Sequence, residues 1–361
     1  MSTRRLLAVA LALASLVAAG CGEDNDGGAA SGEAADASGL PDLEGTTLTY
    51  LGFGGSTDEA FQETVFARFE EATGAKVVLD SPTDYKKVEA QVESGNVQYD
   101  IVDGDPYVMD PQCGDRWEHL TGVSTDTMDP AFESDSDCTV ADYGYYLQIA
   151  WSTNAFPDGG PQTCADFFDT GKYPGKRAIW SYYQASAAVE CAAIAAGADP
   201  KDPYPIDVDA AFDKLASIKG DLVLYESSAD AVDKLQNDDV AVALVTGRMV
   251  AEAINGGASV EASHAWIGRF WGSFGIPKGA PNKEAAEALL GYLAREDVNA
   301  AWLEESGGGV SNVTTPIQTA NGAGNLPSPE DIDRIATNVD WTWWAENDPD
   351  INERFTALTT G

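Results

Sequence analysis

Strands and helices alternate along nearly the whole of this chain, and that alternation predicts an α/β protein. Three observations carry the reading. Residues 46–102 run strand, helix, strand, helix, strand; residues 184–254 repeat the theme; and no low-complexity break interrupts the chain from Thr46 to Gly361. A βαβαβ opening makes parallel strands joined by crossover helices. Two such bodies in a chain of 361 residues predict two lobes joined by crossing segments.

The elements follow from local pattern. Residues 46–51 (TTLTYL) are β-branched and give the first strand. Phe61, Val65 and Phe69 recur every four residues, one apolar stripe of a helix over 58–72. Ser56 and Glu59 form a capping box at its start, and Gly74 follows its end. Residues 76–79 read as a strand, 85–93 as a helix and 99–102 as a strand. In the second body, helices are expected at 184–196, 209–218, 229–236 and 247–254, with strands at 221–225 and 240–245. A short strand at 274–276 and a strongly periodic helix at 283–293 complete the set.

The N-terminus fixes the compartment. Arg4 and Arg5 precede an apolar stretch over 6–17, and Ala18-Ala19-Gly20 stand before Cys21. Residues 1–20 therefore read as a secretory signal, too short for a transmembrane helix. The small residues ending at cysteine resemble a bacterial lipobox, which makes Cys21 the expected lipidated first residue of a membrane-anchored, extracytoplasmic protein. The competing reading is a soluble secreted protein cut nearby, with Cys21 incidental. Residues 21–43, rich in Gly, Ala, Ser and acids, read as a flexible acidic linker.

The formal charge is −38, from 59 acids and 21 bases. Such a field repels nucleic acid and anionic headgroups, and its plain interpretation is a solvated acidic surface. Cys113, Cys138, Cys164 and Cys191 make an even set for an oxidising compartment, open to three pairings. Nearest-neighbour pairing closes two loops, each worth about 3 kcal/mol in the chain-entropy picture. A zinc site is not expected: there is no C-x-x-C, and the two histidines are His119 and His264.

Catalytic motifs are weak. The loop Gly52-Phe53-Gly54-Gly55-Ser56 sits between strand and helix like a dinucleotide fingerprint, but the third glycine position is Thr57. What remains is a glycine loop whose amides can meet a ligand. No G-x-S-x-G elbow is present. Asp103 and Asp105 are paired carboxylates, an unremarkable pairing among 59 acids.

Several segments, in order, carry a family resemblance: YLGFGGSTDEAFQETVFARFEEATGAKV (50–77), YDIVDGDPYVM (99–109), CADFFDTGKYPGKRAIW (164–180), LQNDDVAVALVTGRMV (235–250), FWGSFGIPKGAPNKEAAEALLGYLARED (270–297) and DWTWWAENDPDINERF (340–355). Together they resemble the extracellular solute-binding proteins of ABC transporters, in the spermidine/putrescine-binding-like family. The resemblance implies a type II periplasmic-binding fold, two α/β lobes hinged around a cleft. Lobe 1 would comprise 44–147 and 264–305, lobe 2 148–263 and 306–361, with crossings near 147–153, 264–271 and 306–314. It implies a monomer without cofactor, metal or enzymatic activity, which closes on a small amine-bearing solute, polyamine or amino-carboxylate, and delivers it to a permease.

Motif placement nominates Gly54, Gly55, Ser56, Asp103, Asp105, Trp151, Tyr183, Arg248, Trp271 and Asn312 for the cleft. An aspartate would neutralise an ammonium group, aromatics would pack on alkyl chain or cation, and Arg248 would grip a carboxylate. Core packing or a surface position is the competing role for each. The sequence departs from the family at Gly268-Arg269-Phe270, where relatives carry an acid. It departs also at Val245-Thr246-Gly247 and at Gly308-Gly309. Losing an acid and gaining Arg269 favours a zwitterion over a polycation. Adjacent Tyr182 and Tyr183 resemble the twin tyrosines of ferric-ion-binding relatives, an alternative cargo. An exported enzyme on the same fold is the remaining alternative.

Overall fold

The computed structural model describes residues 39–54, 56–124, 132, 134, 136–295, 297, 298, 302 and 333–360. Its centre is one nine-stranded mixed sheet. In chain order the first elements are β1 (Thr47–Leu51), α1 (Ser56–Ala60), α2 (Ala67–Thr73), β2 (Lys76–Asp80), α3 (Tyr85–Ser94), β3 (Ile101–Gly104) and α4 (Pro106–Met109). Then come β4 (Thr139–Ser152), α5 (Cys164–Phe168), β5 (Arg177–Trp180), α6 (Ala188–Ala196), α7 (Val208–Ser217) and β6 (Leu222–Tyr225). They are followed by α8 (Ser228–Gln236), β7 (Val242–Thr246), α9 (Gly247–Asn255), β8 (Val260–Gly275), α10 (Lys283–Leu293), β9 (Ala336–Asn338) and α11 (Trp341–Thr360).

Strand order is β2-β1-β3-β8-β4-β7-β5-β6, with β9 on β8. The strands β1, β2 and β3 are parallel on one side, and β5, β6 and β7 on the other. Between them β8 runs antiparallel to both β3 and β4, and β4 antiparallel to β7. The β4–β8 ladder extends from Thr139 opposite Gly275 to Ser152 opposite Val260, with register shifts between Ala141 and Gly144 and between Gln148 and Ala150. The crossings expected at 147–153 and 264–271 fall inside these two strands; the third, at 306–314, lies outside the described residues.

Several sequence readings need correction. The short strand at 274–276 is the end of β8, sixteen residues long, and the fourteen-residue β4 has no counterpart in the predicted elements. Both strands are buried at most positions, so the polar–apolar alternation that marks a half-exposed strand is missing. The helix over 58–72 is interrupted by a π-helical segment, Phe61–Phe66. Its wider turn brings both Val65 and Phe66 into the core beside Phe61. Gly74 ends α2 in the left-handed region at φ 73°, as its place after the apolar stripe implies. The side chain of Ser56 lies outside the described residues; the observed capping box is Thr163 with Asp166, at the start of α5.

Two disulfides are formed, Cys113–Cys138 (Cα–Cα 5.4 Å) and Cys164–Cys191 (5.1 Å). The second joins α5 to α6 within the core. Among the described residues no helix is long and apolar enough to cross a membrane. Residues 1–38, which hold the expected signal, Cys21 and most of the linker, lie outside the description.

Candidate ligand-binding site

The site is built where β3 ends. Gly104 closes the strand because nothing larger fits: a Cβ there would stand 2.8 Å from both Met109 Sδ and Tyr85 Oη. That close approach puts Tyr85 against Asp105, the residue before α4. The Asp105 N–H donates to Tyr85 Oη at 2.7 Å, and Tyr85 Oη donates back to Asp105 Oδ2 at 2.6 Å. Tyr182, from the segment after β5, donates to the same oxygen at 2.6 Å. The hydroxyl of Tyr107 lies 3.4 Å from that of Tyr182.

An aromatic wall continues from there. Tyr107 stacks on Trp341 with ring centroids 5.6 Å apart, and Trp341 meets Trp271 edge-on at 6.2 Å and Phe270 at 5.9 Å. The indole N–H groups of Trp271 and Trp341 are buried without an acceptor among the described residues. An unpaired buried donor costs free energy, and native proteins resolve it with water or ligand. The site thus offers a carboxylate and aromatic faces, and two of the indoles in its wall carry unpaired N–H groups.

Behind it lies a second group of acids. Tyr50 Oη donates to Asp103 Oδ2 at 3.0 Å, and the Gly54 N–H donates to Asp58 Oδ2 at 2.8 Å. Burial raises the pKa of Asp58, Asp103 and Asp105; for Asp105 the hydrogen bonds from Tyr182 and Tyr85 oppose it. Burial likewise drives the phenols of Tyr85, Tyr107 and Tyr182 upward, so they stay protonated donors.

The structure brings together some of the residues nominated from sequence and separates others. Asp103, Asp105, Gly54 and Trp271 fall in or beside this region. Trp151 does not: it sits 2 % exposed in the core, where a Cβ on Gly160 would come within 2.1 Å of its indole. Of the twin tyrosines it is Tyr182 that reaches Asp105; Tyr183 donates to Asp348 at 2.7 Å and packs on Phe355 of α11. Arg248 pairs with Glu252 at 2.7 Å along α9. Gly55 and Asn312 lie outside the described residues, as does the side chain of Ser56.

Sequence reasoning missed Tyr85, Tyr107 and Trp341. The signals were faint: Tyr107 follows Asp105-Pro106 directly, and Trp341 opens the Trp-Thr-Trp-Trp run.

A sheet of two parallel sets joined through long antiparallel central strands, with a polar site at a strand end, is the architecture of the type II periplasmic binding proteins, a class of solute receptors. The chain belongs to the bacterial extracellular solute-binding proteins, whose family model matches residues 64–325. It is 27 % identical over 333 residues to the gamma-aminobutyric acid-binding protein of Pseudomonas aeruginosa, covering 86 % of this chain and 90 % of that one. Among solved structures it resembles the Atu4243-GABA receptor (27 % identity, TM-score 0.75, covering 87 % of this chain and 98 % of that one). It also resembles the binding protein MotA of A. tumefaciens B6 in complex with glucopine (25 % identity, TM-score 0.72, covering 87 % and 99 %). The protein is therefore an extracytoplasmic solute-binding receptor of an ABC importer of small solutes, and the relatives named here are binding proteins.

Proposed function

We propose that this receptor captures a short amino-carboxylate of the gamma-aminobutyrate type. The observation that carries the proposal is the pairing of opposite functions at one site: the Asp105 carboxylate for an ammonium group, and the unpaired indole N–H donors of Trp271 and Trp341 for a carboxylate. A polyamine has cationic groups at both ends and no acceptor for those donors, so the spermidine/putrescine-like reading is the weaker one. Ferric ion is weaker still. The adjacent phenols part, Tyr182 to Asp105 and Tyr183 to Asp348, instead of converging on one metal position.

In this reading 44–147 with 264–305 and 148–263 with 306–361 are two lobes, and Tyr182 reaches from the second to Asp105 on the first. The largest apolar cluster runs across both parts, from Leu48 and Phe66 to Phe167 and Leu215, but two smaller ones keep to one side each. One, around Leu51, Val88 and Met109, lies wholly within 44–147; the other, around Tyr225, Leu235 and Val250, wholly within 148–263. Solute binding favours the closed arrangement because only then do both lobes touch it. Cys21, lipidated, would hold the receptor at the membrane beside its permease.

Isothermal titration of the mature protein with gamma-aminobutyrate, putrescine and ferric citrate tests the proposal. Saturable binding of gamma-aminobutyrate is expected; binding of putrescine or iron alone would overturn it.

A further inference from the structure

Behind Asp105, β8 lies between β3 and β4, with Asp103 opposite Phe274 and Ala141 opposite Ser273. Over this strand the carboxyl groups of Asp103 and Asp142 are close neighbours that act on each other electrostatically. Each has one oxygen already engaged. Tyr50 donates to Asp103 Oδ2, and the Tyr143 N–H donates to Asp142 Oδ1. The remaining oxygens, Asp103 Oδ1 and Asp142 Oδ2, are buried and receive no donor among the described residues. Asp103 is fully buried and Asp142 is 3 % exposed.

Two ionised carboxylates only accept hydrogen bonds, so contact between them in a buried place is repulsive. The titratable groups that face the pair are Asp58 from α1, Asp105 from the start of α4, Tyr50 from β1, and Tyr143 and Tyr145 from β4, all acids or phenols; beside them the Gly272 N–H from β8 approaches the Asp142 carboxylate. The arrangement lacks a donor between the two orphan oxygens, and a proton is the smallest group that supplies one.

We infer that Asp103 and Asp142 share one proton and, through it, act as positioning residues for Asp105. The proton joins the end of β3 to β4 across Gly272, whose missing side chain makes the bridge feasible: a Cβ there would lie 2.2 Å from Asp142 Oδ2 and 3.0 Å from the Gly104 carbonyl. Asp103 and Gly104 lead directly into Asp105, so a charge repulsion that parts β3 from β4 also displaces the carboxylate that Tyr85 and Tyr182 hold.

Burial, and then for Asp103 the neighbouring Asp142, pushes both acids up, Asp142 to about 7 and Asp103 well above the ordinary range. The unfolded chain releases these protons in the usual carboxylate range while the folded chain keeps them. Stability contributed by the pair therefore falls as pH rises from that range through the raised one.

The test is thermal unfolding of the mature chain, without ligand, from about pH 4 to about pH 9. Wild type, Asp103→Asn, Asp142→Asn and Asp142→Ala are compared. An amide donates permanently, so each Asn variant should lose about half or more of the wild-type decline in melting temperature with pH, and Asn but not Ala should preserve the neutral-pH melting temperature. In infrared difference spectra at neutral pH, the carbonyl band of a neutral carboxylic acid should weaken in both Asn variants. An unchanged pH slope and an undiminished band in them would overturn the inference; if one Asn variant does not fold, the other decides, since each removes the shared proton. The binding consequence rests on the gamma-aminobutyrate reading: wild-type affinity should weaken with rising pH while that of Asp142→Asn holds. Absence of gamma-aminobutyrate binding at every pH would sink that reading and leave the proton test standing.

Discussion

Tyr182 and Asp105, 77 positions apart in the chain, meet in a hydrogen bond of 2.6 Å whose acceptor oxygen also takes the phenol of Tyr85. Tyr85 stands on α3, beside the strand that carries Asp105; Tyr182 arrives from the other side of the sheet. In the two-lobe reading proposed above, the bond is a fastening between the lobes. Its strength depends on the carboxylate staying charged and the phenols staying protonated, and burial secures the second condition.

Removing that fastening should weaken binding more than folding. Tyr182→Phe keeps the ring and deletes the donor, and a hydrogen bond to a charged group is worth roughly 1.5–3 kcal/mol. Titration calorimetry should show gamma-aminobutyrate affinity falling about tenfold or more, with melting temperature little changed.

Trp271→Phe and Trp341→Phe keep aromatic bulk and remove the unpaired indole donors. Loss of affinity for gamma-aminobutyrate, with smaller loss for the corresponding plain amine, is the expected pattern in competition binding. Equal losses for both ligands would place the carboxylate elsewhere.

Gly272→Ala forces a methyl against Asp142 Oδ2 and the Gly104 carbonyl. Overpacking of this kind costs about 1–3 kcal/mol. Chemical denaturation should report a lower midpoint with an unchanged slope.

Arg177 is fully buried, and its guanidinium donates to the backbone carbonyls of Phe167, Asp169, Tyr173 and Gly175, so that one side chain holds the whole turn before β5. Arg177→Met leaves those carbonyls without their donor. A loss of roughly 3 kcal/mol is expected, read as a lower denaturation midpoint, with ligand affinity of the folded fraction preserved.

Reduction of Cys164–Cys191, or its replacement by serines, should cost about 3–4 kcal/mol through the freed 27-residue loop. Denaturant titration with and without reductant measures it.

The fold was legible wherever one face of an element meets water. The stripe of Phe61, Val65 and Phe69 and the left-handed Gly74 marked the helical run that ends in α2, and 283–293 matched α10 at both ends. Pattern failed where an element is buried on every side. The strands β4 and β8 have no polar face to set their period, yet they hold the sheet together. At the site, Asp105 stood out as an acid just past a strand end and Trp271 as an aromatic at an expected crossing, although it lies within β8. Trp151 carried the same signal and is core, because identity and spacing do not say which side of a strand faces a neighbour. Tyr182 and Tyr183 show the same limit: adjacent side chains diverge, and the turn after β5 decides which one meets Asp105. Asp142 was invisible for another reason. Its role arises from a partner 39 residues away and from a glycine on a third strand, a combination that no local pattern encodes.

The two central strands also set how such a receptor can move. A pair of ribbons laddered from Thr139 to Ser152 cannot pivot like a loop. Any change of angle between its halves has to be absorbed as bend and twist, and the places with slack are the two irregular steps, at Ala141–Gly144 and Gln148–Ala150. The first of these adjoins Asp142, so the compliant joint and the buried acid pair occupy the same few residues. Stiffening that joint would alter how often the jaws part without touching a single atom of the captured solute.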